Sequence, residues 1–316
     1  MSAVDARARG EQVVALVPTR ELHEAVRALG VPAGVALLCD EEPHGRDAEV
    51  TAWVAPYATA GALTEVERFS ALRLVQLQSA GYDGLPGLVP PGAVLANASG
   101  VHDAATAEHA VGLVLASLRG IPEAVHAQAD ATWRPMPGRR ALADSSVLVL
   151  GAGSIGRALA RRLLALEARV TGVASRARAD EVLGQVHGPE SLPDLLPHQH
   201  VVVVLLPLTD DTRGTVDDAF LAQLPDDALV VNVARGAVVD TDAVLAHAGR
   251  LRFALDVTDP EPLPDGHPLW SAPGVLVTPH VAGGTTAMLP RMAALVHDQL
   301  GRLAAGDPPA HVVARG

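Results

Sequence analysis

The sequence predicts an α/β fold built on parallel sheets, and three observations carry that expectation. Short runs rich in Val and Leu alternate with helical patterns along most of the 316 residues, the pattern of repeated βαβ units. Several of these runs are apolar at every position, as in strands buried on both faces. One run, Ser146 to Leu150, stops at Gly151-Ala152-Gly153-Ser154-Ile155-Gly156 and opens into a helical pattern with Ile155, Leu159, Leu163 and Leu166 on one face. A strand, a glycine turn and a helix start in that order form a phosphate cradle. Gly151 can take the angles of the turn, Gly153 keeps no side chain in a ligand's way, and Gly156 lets the helix pack on the strand. The amides at the helix start then face a diphosphate. A dinucleotide site is therefore expected here.

The elements follow in chain order. Val13–Val17 reads as a strand and Glu21–Leu29 as a helix stopped by Gly30. Val35–Leu38, Val50–Val54, Leu72–Leu77 and Val94–Ala96 read as further strands. Two loops follow strands in this half, Ala55-Pro56-Tyr57 and Gln78 to Gly84. The second is rich in small residues and exposes backbone amides able to bind a carboxylate, or is an ordinary glycine turn. Helices are expected at Asp103–Leu118 and Ile121–Ala131. In the first, Ala105, His109, Gly112 and Ala116 suggest a small-residue packing face, and Glu108 with His109 a buried polar contact. Trp133–Arg140 is a connection whose Trp and Met either cover a neighbouring subunit or pack locally.

Beyond the glycine turn, Arg169–Val173 reads as the second strand of the cofactor sheet. Such a strand usually ends in an acid for the ribose 2′-OH. Here Ala174-Ser175-Arg176-Ala177-Arg178 follows, with no carboxylate. Ser175 and Arg176 suit a 2′-phosphate, so NADP is favoured, and NAD stays open with the arginines as a solvated pair. Val201–Leu206, Ala228–Asn232, Leu251–Leu255 and Val275–Val277 are the remaining strands. Their ends deliver Arg235, Asp256 and His280 to one crevice, as the tips of a parallel sheet do. Thr285–Ala304 reads as a closing helix and Asp307–Gly316 as a tail.

Composition narrows the function classes. The formal charge of −12 argues against nucleic acid or an anionic membrane as partner. Aromatics are only 3%, so the core must be built from Ala, Val and Leu. Cys39 is the single cysteine, which excludes an internal disulfide and fits a reducing compartment. Met1 to Gln12 lacks the apolar core of a signal peptide, and the longest apolar run is too short to span a bilayer. A cytoplasmic protein is expected, with no metal.

The chain resembles the D-isomer-specific 2-hydroxyacid dehydrogenase family over nearly its whole length. The resemblance rests on Ser79-Ala80-Gly81-Tyr82-Asp83, on Asn97 to His109, on Gly151 to Gly156, on Val231-Asn232-Val233-Ala234-Arg235-Gly236, and on Asp256 to Pro262 with His267-Pro268-Leu269-Trp270 and Thr278-Pro279-His280. It implies two lobes, a Rossmann-type cofactor domain (98–283) inserted into a flavodoxin-like substrate domain (1–97 with 284–316), hinged near Asn97 and near Gly283-Gly284. It implies a homodimer.

The resemblance also assigns roles. Hydride passes between a nicotinamide and a small 2-keto acid. His280 gives a proton to the ketone oxygen, Glu261 fixes the ring (Asp259 is the weaker choice), and Arg235 binds the carboxylate. Ala80 and Gly81 take the remaining carboxylate charge through their amides. Asp256 holds the nicotinamide amide; Thr106, Leu206, Pro207 and Ala234 complete the cofactor contacts. Members with Ser-Arg after the second cofactor strand tend to be NADPH-dependent reductases of glyoxylate, hydroxypyruvate or phenylpyruvate. Formate and phosphite dehydrogenases stay open within the fold, although formate enzymes carry Gln where Glu261 stands. A phosphoglycerate role is disfavoured because no regulatory domain follows. A nucleotide-sensing, corepressor-like protein is the alternative outside catalysis. Trp53, Val54, Tyr57, Tyr82 and Met288 are candidates for shaping the substrate pocket.

Overall fold

The computed structural model describes residues 12–57 and 60–316. Most of the charged N-terminal stretch noted above, up to residue 11, lies outside them. The chain divides into two compact units, Met1–His102 with Thr286–Gly316, and Asp103–Thr285.

The first unit contains β1 (Val13–Val17), α1 (Arg20–Ala28), β2 (Val35–Cys39), β3 (Ala52–Val54), β4 (Leu74–Gln76) and β5 (Val94–Ala96). The second runs α2 (Asp103–Arg119), α3 (Ile121–Ala129), β6 (Ser146–Leu150), α4 (Ser154–Ala165), β7 (Arg169–Val173), β8 (Arg178–Asp180), β9 (Gly184–His187), α5 (Leu192–Leu195), β10 (Val201–Val204), α6 (Asp218–Ala222), β11 (Leu229–Asn232), α7 (Thr241–His247), β12 (Arg252–Leu255) and β13 (Val275–Val277). The chain returns to the first unit for α8 (Met288–Ala305) and β14 (Val312–Arg315).

The first unit's sheet has the order β2-β1-β3-β4-β5, all parallel, with β14 added antiparallel to β5. That is the flavodoxin-like order, whose direction reverses between β1 and β3. The second sheet has the order β13-β12-β11-β10-β6-β7-β9-β8. It is parallel except where β8 turns back on β9, and its direction reverses between β6 and β10. The glycine turn after β6 therefore stands at the switch point, where ligands of such sheets bind.

β10 shows why the sheet forms. Its four valines are fully buried, and their side chains alternate between two cores. Val202 and Val204 join Leu148, Phe220 and Phe253 on one face. Val201 and Val203 join Leu113, Leu159 and Leu163 on the other. A strand with no polar face is stable only between two layers, and each fully buried valine contributes about 1.5–3 kcal/mol.

Three expectations need correction, and one element was not foreseen. The tail is not a tail: Val312–Arg315 pairs with β5 through an irregular register at Val312/Ala314, too short and uneven a signal to be read from sequence. The hairpin β8–β9 is likewise unforeseen. It turns because the Asp180 carboxylate accepts from the amides of Val182 and Leu183 at 2.9 and 3.1 Å, and it buries Leu183 and Val186. The closing helix starts at Met288 rather than Thr285, which keeps Pro290 within the first turn, where its missing N–H is not needed. Finally, of the expected packing face on α2 only Ala105 is buried, with Ala107, Ala110, Leu113, Val114 and Leu118, while Gly112 is exposed.

Candidate active site

The glycine turn is fixed from behind. The amides of Gly151 and Ala152 both donate to the Val173 carbonyl, at 2.9 and 3.1 Å. Gly151 has a φ of 115°, and a Cβ on it would stand 2.6 Å from the Leu205 carbonyl. A Cβ on Gly156 would collide with the Gly151 oxygen. Those two glycines are required by the protein itself. Gly153 is not, since a Cβ there would meet nothing within 4 Å. The turn thus leaves open space before the first amides of α4 (Ser154, Ile155, Gly156), which have no partner inside the helix and no side-chain cap. A dinucleotide diphosphate fits that cradle.

At the tip of β7, Ser175 and Arg176 are exposed, and the Arg176 side chain has no partner among the described residues. Arg178 reaches back to the turn, donating to the Ala152 carbonyl at 2.6 Å. The first acid after β7 is Asp180, and it is engaged with Arg157 at 3.4 Å. The amides of Val182, then of Leu183, hold its carboxyl below the usual carboxylate range. No acid therefore stands at the strand's own tip, residues 174–178.

Asn232 shapes the next tip. It is fully buried at the end of an apolar strand, so both its polar atoms need partners. Its amide donates to the Arg235 carbonyl at 2.9 Å, and its oxygen accepts from the Ala234 amide at 3.0 Å. The resulting turn presents Arg235, whose guanidinium donates to the Ala234 carbonyl at 2.7 Å. Gly236 follows, and a Cβ on it would collide with the Thr258 carbonyl. The tips of β11 and β12 are thereby locked together.

The β12 tip carries Glu261 and the β13 tip His280. His280 Nδ1 and Glu261 Oε1 are 2.5 Å apart, while Asp259 does not reach the ring. The two side chains are 49% and 39% exposed, which leaves the second ring nitrogen, Nε2, accessible. His280 has a φ of 52°, in the left-handed region where non-glycine residues are strained. Its amide is tied to the Asp256 carbonyl at 2.8 Å.

Asp256 lies beneath the His280 tip. Its side chain is only 1% exposed, and its oxygens already accept from Thr278 Oγ1 (2.6 Å) and the amides of Val281 and Ala282 (3.0 Å each). His109 Nε2 adds a contact at 3.2 Å, and also meets Thr278 Oγ1 at 3.0 Å. These contacts anchor the segment bearing His280; most of them fall on Oδ1, while Oδ2 accepts only the Ala282 amide among the described residues. His109 is the polar contact foreseen on α2; Glu108 lies on the surface with Arg162. Sequence reasoning missed Asn232 and Thr278, though a polar residue closing an all-apolar strand was the available signal. Thr106 is buried, Leu206 packs on a core, Pro207 is exposed and Ala234 is half-buried.

In the first unit, the loop after β4 turns its acceptors inward. The carbonyls of Gln78, Ser79, Ala80 and Gly81 accept from His102, Ala98, Asn97 and Ser79. The amides of Ala80 and Gly81 have no acceptor among the described residues. Trp53 and Val54 are buried in strand β3, and the Trp53 ring lies 5.2 Å from that of Phe69, tilted by 47°. Met288 is packed against a core. Tyr57 and Tyr82 are exposed.

Residues 111–282 match the family model described as "D-isomer specific 2-hydroxyacid dehydrogenase, NAD binding domain". The chain belongs to the D-isomer-specific 2-hydroxyacid dehydrogenase family. This dehydrogenase is 33% identical to a glyoxylate reductase of Aeropyrum pernix over 259 residues, covering 77% of each chain. It is 36% identical to a glyoxylate/hydroxypyruvate reductase A of Klebsiella pneumoniae over 205 residues, 64% of each. A family member from Xanthobacter autotrophicus, solved with NADPH and MES, superposes with a TM-score of 0.81 at 31% identity, covering 96% of this chain and 98% of the other. The protein is an oxidoreductase that uses a nicotinamide cofactor on 2-hydroxy or 2-keto acids. Among the described residues no helix is long and apolar enough to cross a membrane, and no cluster could hold a metal ion.

Proposed function

We propose that this dehydrogenase reduces a small 2-keto acid, of the glyoxylate, hydroxypyruvate or phenylpyruvate class, with NADPH preferred over NADH. The observation that carries the reading is the His280–Glu261 pair, which leaves one ring nitrogen accessible at a strand tip. The turn at Gly151–Gly156 would hold the diphosphate of a nicotinamide dinucleotide, which when bound would supply the hydride. His280, held by Glu261 through Nδ1, keeps a proton at Nε2 for the ketone oxygen as negative charge develops there. Arg235 binds the carboxylate through its guanidinium fork. Ala80 and Gly81 are proposed as further carboxylate contacts on the strength of their unspent amides. The unit carrying the glycine turn is assigned to the cofactor, and the unit formed by the two chain ends to the substrate.

The NADPH preference is supported by the acid-free β7 tip. It is also supported by relatives solved with NADPH or NADP, including a Sinorhizobium meliloti NADPH-dependent glyoxylate/hydroxypyruvate reductase in complex with NADP, 27% identical at a TM-score of 0.79. A homodimer is proposed as well. Trp133 is 95% exposed and so does not pack locally, and Ile121 and Val125 on α3 are exposed too, an apolar surface suited to a second copy. A cytoplasmic location is proposed from the acidic, cysteine-poor composition.

One assay tests the reading. Purified protein is mixed with NADPH or NADH and each of the three keto acids, and absorbance is followed. Turnover on at least one is expected, faster at low cofactor with NADPH. Tight cofactor binding without turnover on any acid favours a sensing protein instead. Arg176→Ala is expected to raise KM for NADPH by roughly 10-fold or more, as the loss of a charge-assisted hydrogen bond predicts, with little change for NADH. Equal effects on both cofactors end the 2′-phosphate argument.

A further inference from the structure

A cavity of about 350 Å³ opens among Arg140, Ser146, Arg169, His198, His200 and Asp226. It lies at the edge of the second unit's sheet away from the glycine turn. Ser146 begins β6, Arg169 begins β7, and His200 immediately precedes β10. Ligands of parallel sheets collect at the opposite ends of the strands, so this cavity is separate from the cofactor cradle.

Its charge is unbalanced. The single acid on the wall, Asp226, points its mostly exposed side chain to Arg250 at 3.4 Å. Neither Arg140 nor Arg169 makes a side-chain hydrogen bond or ion pair among the described residues, although Arg140 Nε is shielded from solvent. A buried donor left unpaired costs about 1–3 kcal/mol. Arg250, at the same edge, shows what an arginine does when it serves helix ends: it donates to the carbonyls of Leu221 and Leu224 at 2.7 and 2.8 Å. Arg140 and Arg169 do nothing of the kind.

His200 supplies a third donor. Its Nδ1 accepts from the Ser146 amide at 3.0 Å, which leaves the neutral ring's proton on Nε2. Burial holds this imidazole below its ordinary pKa, and Arg140 and Arg169 push it the same way.

We propose that this cavity binds a phosphate group, as the free ion or as the phosphomonoester of a small metabolite, between Arg140, Arg169 and His200. Two guanidinium forks and an imidazole N–H match the several acceptors of a tetrahedral oxyanion. The volume lies near the lower end of small-ligand sites, roughly 300–1,000 Å³, and leaves room for a short organic tail. The site does not depend on the activity proposed above.

The test follows the His200 ring proton by NMR across pH in the full-length protein, with His200→Gln identifying the resonance. Inorganic phosphate is compared with sodium chloride and with malonate at equal ionic strength. Phosphate is expected to raise the His200 midpoint saturably, by about one pH unit, the effect of an opposite charge close by. The Arg140→Gln/Arg169→Gln double variant is expected to lose that response while keeping its Tm and its turnover. Should the double variant not fold, Arg169→Gln alone, at an exposed position, is expected to weaken the response. No saturable shift with phosphate, a shift that survives removal of the arginines, or an equal shift with malonate overturns the proposal.

Discussion

His280→Asn is expected to lower kcat by roughly 10²–10⁴-fold, the usual worth of a positioned proton donor. Asparagine is the informative replacement because it tolerates the left-handed backbone angle that His280 adopts, 52° in φ, better than most residues. Its amide can still meet Glu261, so the loop retains its anchor, but it has no proton of suitable acidity to give. Cofactor affinity, read by fluorescence titration of NADPH, is expected to stay unchanged, as is Tm. A rate close to that of the unaltered enzyme removes His280 from the mechanism. Glu261→Gln is a gentler change at the same pair, keeping a partner for Nδ1 while removing its charge.

Arg235→Gln is expected to act mainly on kcat/KM for the keto acid. A guanidinium makes two parallel hydrogen bonds to a carboxylate, and hydrogen bonds to charged groups contribute about 1.5–3 kcal/mol each. Losing both predicts a fall of roughly 10²–10⁴-fold. Asn232 holds the backbone of residue 235, so the turn keeps its main anchor when the guanidinium's bond to the Ala234 carbonyl is lost. Arg235→Lys keeps the charge without the fork and should recover only part of the loss. If kcat/KM changes by less than a few-fold in the Gln variant, the carboxylate is bound elsewhere.

The architecture was legible where burial dictates chemistry. Four consecutive valines at 201–204 can only be a strand covered on both sides, and Gly151, Gly153 and Gly156 mark a turn whose geometry the structure explains position by position. The short hairpin β8–β9 escaped because its turn is made by the Asp180 side chain, which no apolar pattern announces. β14 escaped because a short strand at a sheet edge needs only a partner, and nothing local names that partner. In the site, the pairing of Glu261 with His280 could be anticipated, whereas the enclosure of Asp256 could not. Its three protein donors from the Thr278–Ala282 segment and the added His109 contact arise from residues far apart in the chain. The full burial of Trp53 was likewise not legible, because its neighbours on the sheet come from distant parts of the chain.

The junction at Gly236 bears on how such an enzyme can be altered. With no room for even a methyl group against the Thr258 carbonyl, the guanidinium and the acid–base pair belong to one stiff block that cannot be retuned piecemeal. Libraries that randomise position 236 would mostly return displaced backbones, so new selectivity has to be sought in side chains that project from the block, not in the seam that holds it shut.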